Sequence, residues 1–317
     1  VAVKMKKALV YPGQGSQFVG MGKEIYDAFQ VARDVFLEVD DALSEKLSKL
    51  IFEGPMEDLT LTQNTQPALM AVSIAIQKVI EKESGKNIKD LCSFVAGHSL
   101  GEYSALCAAG SISIADTARL LRIRGNAMLD AVPAGQGGMA ALIGVDFAKA
   151  QEVAIFASSE GACQAANDNG GGQVVISGVM AAIEKAVAGA SALGVKRAVK
   201  LPVSAPFHSS LMEPAAMKMA EALVAVQVLS PAVPLIANVT AEEVTDPEEI
   251  RDLLVKQVTG MVRWRESVIA LKNKGVNRIV EIGAGKVLAG LVKRIEPEVE
   301  AISIQTPQDV ENLLKSI

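Results

Sequence analysis

Residues 93–106 read Ser93-Phe94-Val95-Ala96-Gly97-His98-Ser99-Leu100-Gly101-Glu102-Tyr103-Ser104-Ala105-Leu106. A short strand-like run ends on one glycine, and a helix-forming run begins after another. Between them, Gly97-His98-Ser99-Leu100-Gly101 matches G-x-S-x-G, the nucleophile elbow, in which a tight strand-to-helix turn exposes a serine hydroxyl. In a chain with 26 glycines five residues can match by chance. The flanking strand and helix are the context the motif requires, and they favour a functional turn over an ordinary glycine-rich one.

Outward from this stretch the chain repeats the same alternation. Strands are expected at about 7–11, 93–96, 234–237, 278–282 and 301–304, with helices at 68–83, 114–130, 214–225, 247–258, 263–274 and 287–295. Such a pattern predicts an α/β fold, a mostly parallel sheet covered by helices. Residues 134–203 break the rhythm with strand 139–143, helix 147–158, strands 162–167 and 173–177, helix 181–193 and strand 197–201. That order is a ferredoxin-like βαββαβ unit, inserted into a larger domain made of 1–133 and 204–317. Asn169-Gly170-Gly171-Gly172 is its expected central hairpin connection, where positive φ is needed.

Composition removes several function classes. Half of the 317 residues are hydrophobic, enough for a sizeable core and too many for a disordered chain. Thirty-one Lys and Arg against 36 Asp and Glu leave a net charge of −5, which disfavours a nucleic-acid partner. No apolar run approaches the roughly 18–20 residues of a membrane-spanning helix. The first apolar run stops at Pro12-Gly13, too short for a secretory signal, and Met5 reads as the natural start with 1–4 a leftover of expression. Cys92, Cys107 and Cys163 are odd in number and far apart, as expected of reduced thiols in a cytoplasmic protein. With His98 and His208 the only histidines and no H-E-x-x-H spacing, no metal is expected.

A serine hydroxyl needs a base to take its proton, and histidine is the usual one. His98 adjoins Ser99 on the elbow, where its side chain should point away into the sheet or its helix cover. His208, in the loop Ser204-Ala205-Pro206-Phe207-His208-Ser209-Ser210, is left by elimination. No acid is singled out as a third member, so the orienting acceptor could be a backbone carbonyl. Ser99 would sit at a helix N-terminus, with the Leu100 N–H as one oxyanion donor. The loop Pro12-Gly13-Gln14-Gly15-Ser16-Gln17 is either a plain turn or the source of a second oxyanion N–H. It is no dinucleotide fingerprint, because Phe18 stands where the third glycine belongs. Gly283-Ala284-Gly285-Lys286 fails as a P-loop, since Val280 and Val287 occupy required positions, and reads as a strand-to-helix turn.

On the helix around 118–128, taken at about 100° per residue, Arg119, Arg122 and Asn126 share a solvated face. Arg124 falls near 240°, among Leu120, Leu121, Ile123, Gly125, Ala127 and Met128. A guanidinium there cannot lose its charge and needs an anion. A buried structural pair, a side chain reaching out to solvent and a clamp on a substrate carboxylate are all open.

Taken together, the 12–17 run, Thr65-Gln66-Pro67-Ala68, the elbow, Arg124, Pro206-Phe207-His208 and the 283–285 turn resemble the malonyl-CoA:acyl carrier protein transacylases of bacterial type II fatty-acid synthesis, in order and over nearly the whole chain. The resemblance implies an α/β-hydrolase-like domain with an inserted ferredoxin-like subdomain, and Ser99 and His208 as the catalytic pair. It further implies backbone oxyanion donors from Gln14 and Leu100, Arg124 on the malonyl carboxylate, and the Gln257 main-chain carbonyl orienting the histidine. Leu100 after the serine and Phe207 before the histidine fit a malonyl-sized acyl pocket. The implied partners are malonyl-CoA and acyl carrier protein, with no cofactor, no nucleic acid and no membrane, acting as a monomer. Lys196, Arg197, Lys200 and Lys286 are candidates for docking an acidic carrier protein. A serine esterase or thioesterase shares the elbow and the base; a catalytically silent docking module is a third reading.

Overall fold

The computed structural model describes residues 5–203 and 205–317. Residues 1–4, read above as a leftover, and Ser204, the first residue of the His208 loop, lie outside the described residues. The main sheet opens with β1 (Lys7–Tyr11) and β2 (Phe94–Gly97). The inserted unit follows as β3 (Gly137–Ile143), β4 (Cys163–Gly170), β5 (Gln173–Val179) and β6 (Arg197–Lys200). The chain then returns for β7 (Leu235–Ile236), β8 (Glu243–Val244), β9 (Arg278–Ile282) and β10 (Glu300–Ile304).

The six main strands run in the order β10-β9-β1-β2-β7-β8, parallel except for the β7–β8 pair. Every residue of β2 is buried, as expected of a central parallel strand covered on both faces. Tyr11 pairs with Gly97, so the 12–17 loop and the elbow leave the carboxyl edge side by side. Ligand sites gather on that edge in open α/β sheets. The antiparallel β8 is an element the sequence reading did not contain.

The inserted sheet has the order β4-β5-β3-β6 and is antiparallel throughout, the ferredoxin-like arrangement. Leu142 and Ile176 face the helices Phe147–Ala157 and Met180–Gly189 through Val153 and Ile183. Met139, Ala141 and Val175, on the opposite face, join the core of the larger domain. Gly171 and Gly172 turn the β4–β5 hairpin at φ 58° and 77°, the two positive values a two-residue turn requires. The edge of β4 is covered: its Asn167 bridges to Val262, and Asp168 pairs with Arg265 at 2.8 Å.

The helix expected at 68–83 runs from Thr62 to Ser84 and passes through Pro67. Proline leaves the carbonyl four residues back without its helical donor. Here that carbonyl belongs to Gln63, and Arg122 Nη1 donates to it at 2.5 Å. Arg122, placed on a solvated face above, is therefore half-buried and in use, while Ile123, placed in the apolar sector, is 40% exposed. Four helices between residues 23 and 60 were not anticipated, although Val35, Phe36 and Val39 recur at helical spacing.

Candidate active site

The elbow depends on two glycines. A Cβ on Gly97 would lie 1.9 Å from the Gly101 carbonyl oxygen, and one on Gly101 would lie 2.2 Å from that of Tyr11. Only glycine lets strand, turn and neighbouring strand come this close. Ser99, at the tip, adopts φ 53° in the left-handed region, a strained position for a residue with a side chain.

His208 meets it from the other side of the pocket: Ser99 Oγ lies 2.8 Å from His208 Nε2. The ring is held by its other nitrogen, with Nδ1 2.8 Å from the Gln257 carbonyl and 3.1 Å from that of Gly260. Both carbonyls are acceptors only, so Nδ1 carries the proton and Nε2 is free to accept from the serine. Gln257 lies in the last turn of the helix Pro247–Thr259, where carbonyls lack helical partners. No acidic side chain touches the imidazole among the described residues. Burial, reinforced by the positive charge of Arg124, pushes the His208 pKa down to about 3, so the ring is neutral at physiological pH.

Arg124 is 1% exposed and has no carboxylate partner among the described residues. Its Nη1 donates to Gln66 Oε1 at 2.8 Å; its Nη2 faces Gln257 Oε1 at 2.8 Å and Ser99 Oγ at 3.1 Å. The guanidinium lies over the Tyr103 ring, 5.6 Å from its centroid, and its Nε has no hydrogen-bond partner. Of the readings open above, a carboxylate ion pair and an escape to solvent are thus both absent from the described residues. The cation is turned onto the serine, supported by neutral groups.

Ser99, His208, Arg124 and Gln66 line a cavity of about 310 Å³ between the two sheets, walled by Met139, Val175 and Leu201 of the inserted unit and by Leu288 and Leu291. Gln14, Leu100 and Phe207 also line it, with Phe207 8% exposed. The main-chain N–H groups of Gln14 and Leu100 have no acceptor among the described residues. His98 points away from Ser99 Oγ as expected, its ring 5.8 Å from that of Trp264 on the helix Trp264–Asn273, which covers the main sheet, while Nε2 reaches Asn169 Oδ1 of β4 at 2.8 Å. Lys286 lies beside Val287 at the rim, whereas Lys200 is 3.5 Å from Glu184 and the Lys196 stem covers Gly144.

Several groups escaped the sequence reading. Asn238, just beyond β7, accepts the Ser99 N–H at 2.9 Å and donates to the Gly97 carbonyl at 2.7 Å, bracing the elbow. Glu102, and the role of Gln66, which was quoted above only as part of the 65–68 run, escaped likewise; both are buried.

The fold and a family match agree on the class. The family described as acyl transferase domain matches residues 8–305, which makes this an acyltransferase. The malonyl CoA-acyl carrier protein transacylase of Bacillus subtilis is 46% identical over 98% of this chain and 97% of its own. That of Escherichia coli K12 is 43% identical over 95% and 96%. Among solved structures, the acyl-carrier-protein S-malonyltransferase of Bartonella henselae is 58% identical, with TM-score 0.96 over 98% of this chain and 99% of its own. A malonyl-transacylase in complex with its type II PKS acyl-carrier protein superposes with TM-score 0.95 at 40% identity, over 98% and 100%. The chain belongs to the malonyl CoA-acyl carrier protein transacylase family.

Proposed function

We propose that this chain moves malonyl from malonyl-CoA to the phosphopantetheine thiol of acyl carrier protein through a malonyl ester on Ser99. The observation that carries the reading is one oxygen with two partners: Ser99 Oγ has His208 Nε2 at 2.8 Å and Arg124 Nη2 at 3.1 Å. A base and a carboxylate-binding cation at one nucleophile suit an acyl group that ends in a carboxylate.

In the first half-reaction His208 Nε2 takes the Ser99 proton as Oγ bonds to the thioester carbon. The tetrahedral oxyanion accepts from the free N–H groups of Gln14 and Leu100. The C–S bond then breaks, and His208 returns the proton to the CoA sulfur. The second half-reaction runs the same steps in reverse, with the carrier thiol as nucleophile and Ser99 as leaving group. The malonyl carboxylate takes the Arg124 fork throughout, and Phe207 bounds the acyl pocket. The helix C-terminus that supplies the Gln257 carbonyl favours the transient imidazolium. No step needs a cofactor. All these side chains come from one chain, which supports action as a monomer, and the unpaired cysteines suit a cytoplasmic setting. We divide the chain as expected, 1–133 with 204–317 around 134–203, because the second sheet is confined to Gly137–Lys200.

The test is mass spectrometry after mixing with malonyl-CoA. One malonyl adduct is expected on the parent and none on Ser99→Ala; an adduct that survives the substitution refutes the assignment. Discharge of that adduct by carrier protein, and not by buffer, separates transfer from the esterase reading.

A further inference from the structure

Glu102 is a buried acid that the mechanism above leaves unused. It is 1% exposed, in the first turn of the helix Gly101–Ala108, and forms no ion pair among the described residues. Its Oε2 accepts from the Asn238 main-chain N–H at 3.0 Å and from Gln257 Nε2 at 3.2 Å. Gln257 Nε2 also faces the Ser99 carbonyl at 2.9 Å and Asn238 Oδ1 at 3.2 Å.

The amide of Gln257 therefore has three oxygens around its nitrogen and a guanidinium nitrogen, Arg124 Nη2, at 2.8 Å from its oxygen. Reversing it would set NH₂ against a donor-only guanidinium and a carbonyl against three acceptors, so only one orientation is satisfied. Of those three oxygens the carboxylate is the strongest acceptor. Glu102 thus helps to hold the amide, with the Ser99 carbonyl and Asn238 Oδ1, and the amide presents its oxygen to the cation.

We propose that Glu102 is a positioning residue that sets the preference for carboxylate-bearing acyl groups, acting through Gln257 to hold the Arg124 fork in place. The proposal rests on the reading of Arg124 as the malonyl clamp. Without Glu102 the Asn238 N–H loses its acceptor and the amide keeps only the Ser99 carbonyl and Asn238 Oδ1 around its nitrogen, so its hold on Nη2 is weakened. Burial pushes the Glu102 carboxyl up to about 7, yet Oε2 accepts in either protonation state. Both donated bonds end on this one oxygen, so a glutamine amide can reproduce them.

The experiment is single-turnover acylation of the full-length parent, Glu102→Ala and Glu102→Gln by malonyl-CoA and, as a neutral probe, acetyl-CoA, with thermal unfolding recorded alongside. The malonyl-to-acetyl ratio should fall about ten-fold or more in Glu102→Ala and stay within about three-fold of the parent in Glu102→Gln. An unchanged ratio in Glu102→Ala, even with lower stability, overturns the proposal. So does a Glu102→Gln variant as impaired as Glu102→Ala, because charge rather than acceptance would then be at work. Should Glu102→Ala not fold, Gln257→Leu keeps the carbonyl for His208 and must show the same fall in ratio; an unchanged ratio there is equally fatal. A parent that takes no malonyl would defeat the proposed function itself.

Discussion

Ser99 and His208 meet at 2.8 Å, and both stand in the left-handed backbone region, at φ 53° and 54°. Neither is a glycine, so each side chain is aimed by a backbone conformation uncommon for residues that carry one, which histidine tolerates better than serine. Such strain is held by the surroundings, here Asn238 on the elbow and the Gln257 and Gly260 carbonyls on the imidazole.

Relief of that strain is measurable at Ser99. Ser99→Gly should unfold at a higher temperature than Ser99→Ala, by the equivalent of about 1 kcal/mol, while neither accepts malonyl. Differential scanning calorimetry of the pair checks this. Equal midpoints would mean the backbone at 99 relaxes when the hydroxyl is lost.

A second expectation concerns pH. His208 is unprotonated down to about 3, so malonylation should show no inflection near 6.5, and its rate constant should stay flat from about pH 8 to 5. For stability, the folded pKa lies below the unfolded one, so between those values the unfolded chain binds the extra proton. His208 therefore favours folding above about 6.5 and withdraws that contribution as pH falls. His98, lowered by burial, acts in the same direction; Glu102 and Glu281, each pushed up to about 7 by burial, act oppositely, since their protonated forms favour the fold. The parent's net slope is thus a partial cancellation. His208→Asn, which tolerates positive φ, should lose less stability than the parent between pH 7 and 5. Parallel melting curves would contradict the assignment.

What the sequence disclosed follows from how local each feature is. The elbow is written in five consecutive residues because its glycines act on neighbours along the chain and on Tyr11 one strand away. Arg124 was legible from its helix alone, as a cation at an apolar angle. Its acceptors Gln66 and Gln257, and the brace Asn238, come from separate elements, and each looks like an ordinary polar residue. Glu102 resembles the acid often found in a helix's first turn. One signal was available: its helix, Gly101–Ala108, is otherwise apolar or small and is buried on every side, which leaves a carboxylate no solvated face. Pro67 shows the converse, a local rule overridden at a distance by Arg122.

Gly101→Ala should be among the most damaging small substitutions in the chain. Its methyl group would sit 2.2 Å from the Tyr11 carbonyl oxygen, a backbone atom of a central strand that cannot turn aside. A cost of about 3 kcal/mol or more is expected, in contrast with Gly290→Ala, whose methyl group would meet nothing within 4 Å. Urea unfolding of the two variants gives the comparison; similar midpoints would show that β1 can move away from the elbow.

Arg124→Met tests whether the buried cation serves substrate or fold. Losing a charge-assisted carboxylate contact in a dry pocket should lower malonyl transfer by about 2 to 5 kcal/mol, roughly thirty-fold to several-thousand-fold in kcat/KM. Acetyl transfer, with no charge to satisfy, should change little. Two opposed terms decide stability. Removing a desolvated guanidinium without a counter-ion is favourable by several kcal/mol. Leaving the Gln66 and Gln257 amide oxygens without their donor costs about 1 to 3 kcal/mol each. These nearly offset, so the melting temperature should move by only a few degrees, whereas breaking a buried structural ion pair would cost about 3 to 5 kcal/mol. The measurements are the malonyl-to-acetyl ratio of kcat/KM and the thermal midpoint. A constant ratio with a collapsed midpoint would make Arg124 a structural residue and remove the carboxylate clamp from the mechanism.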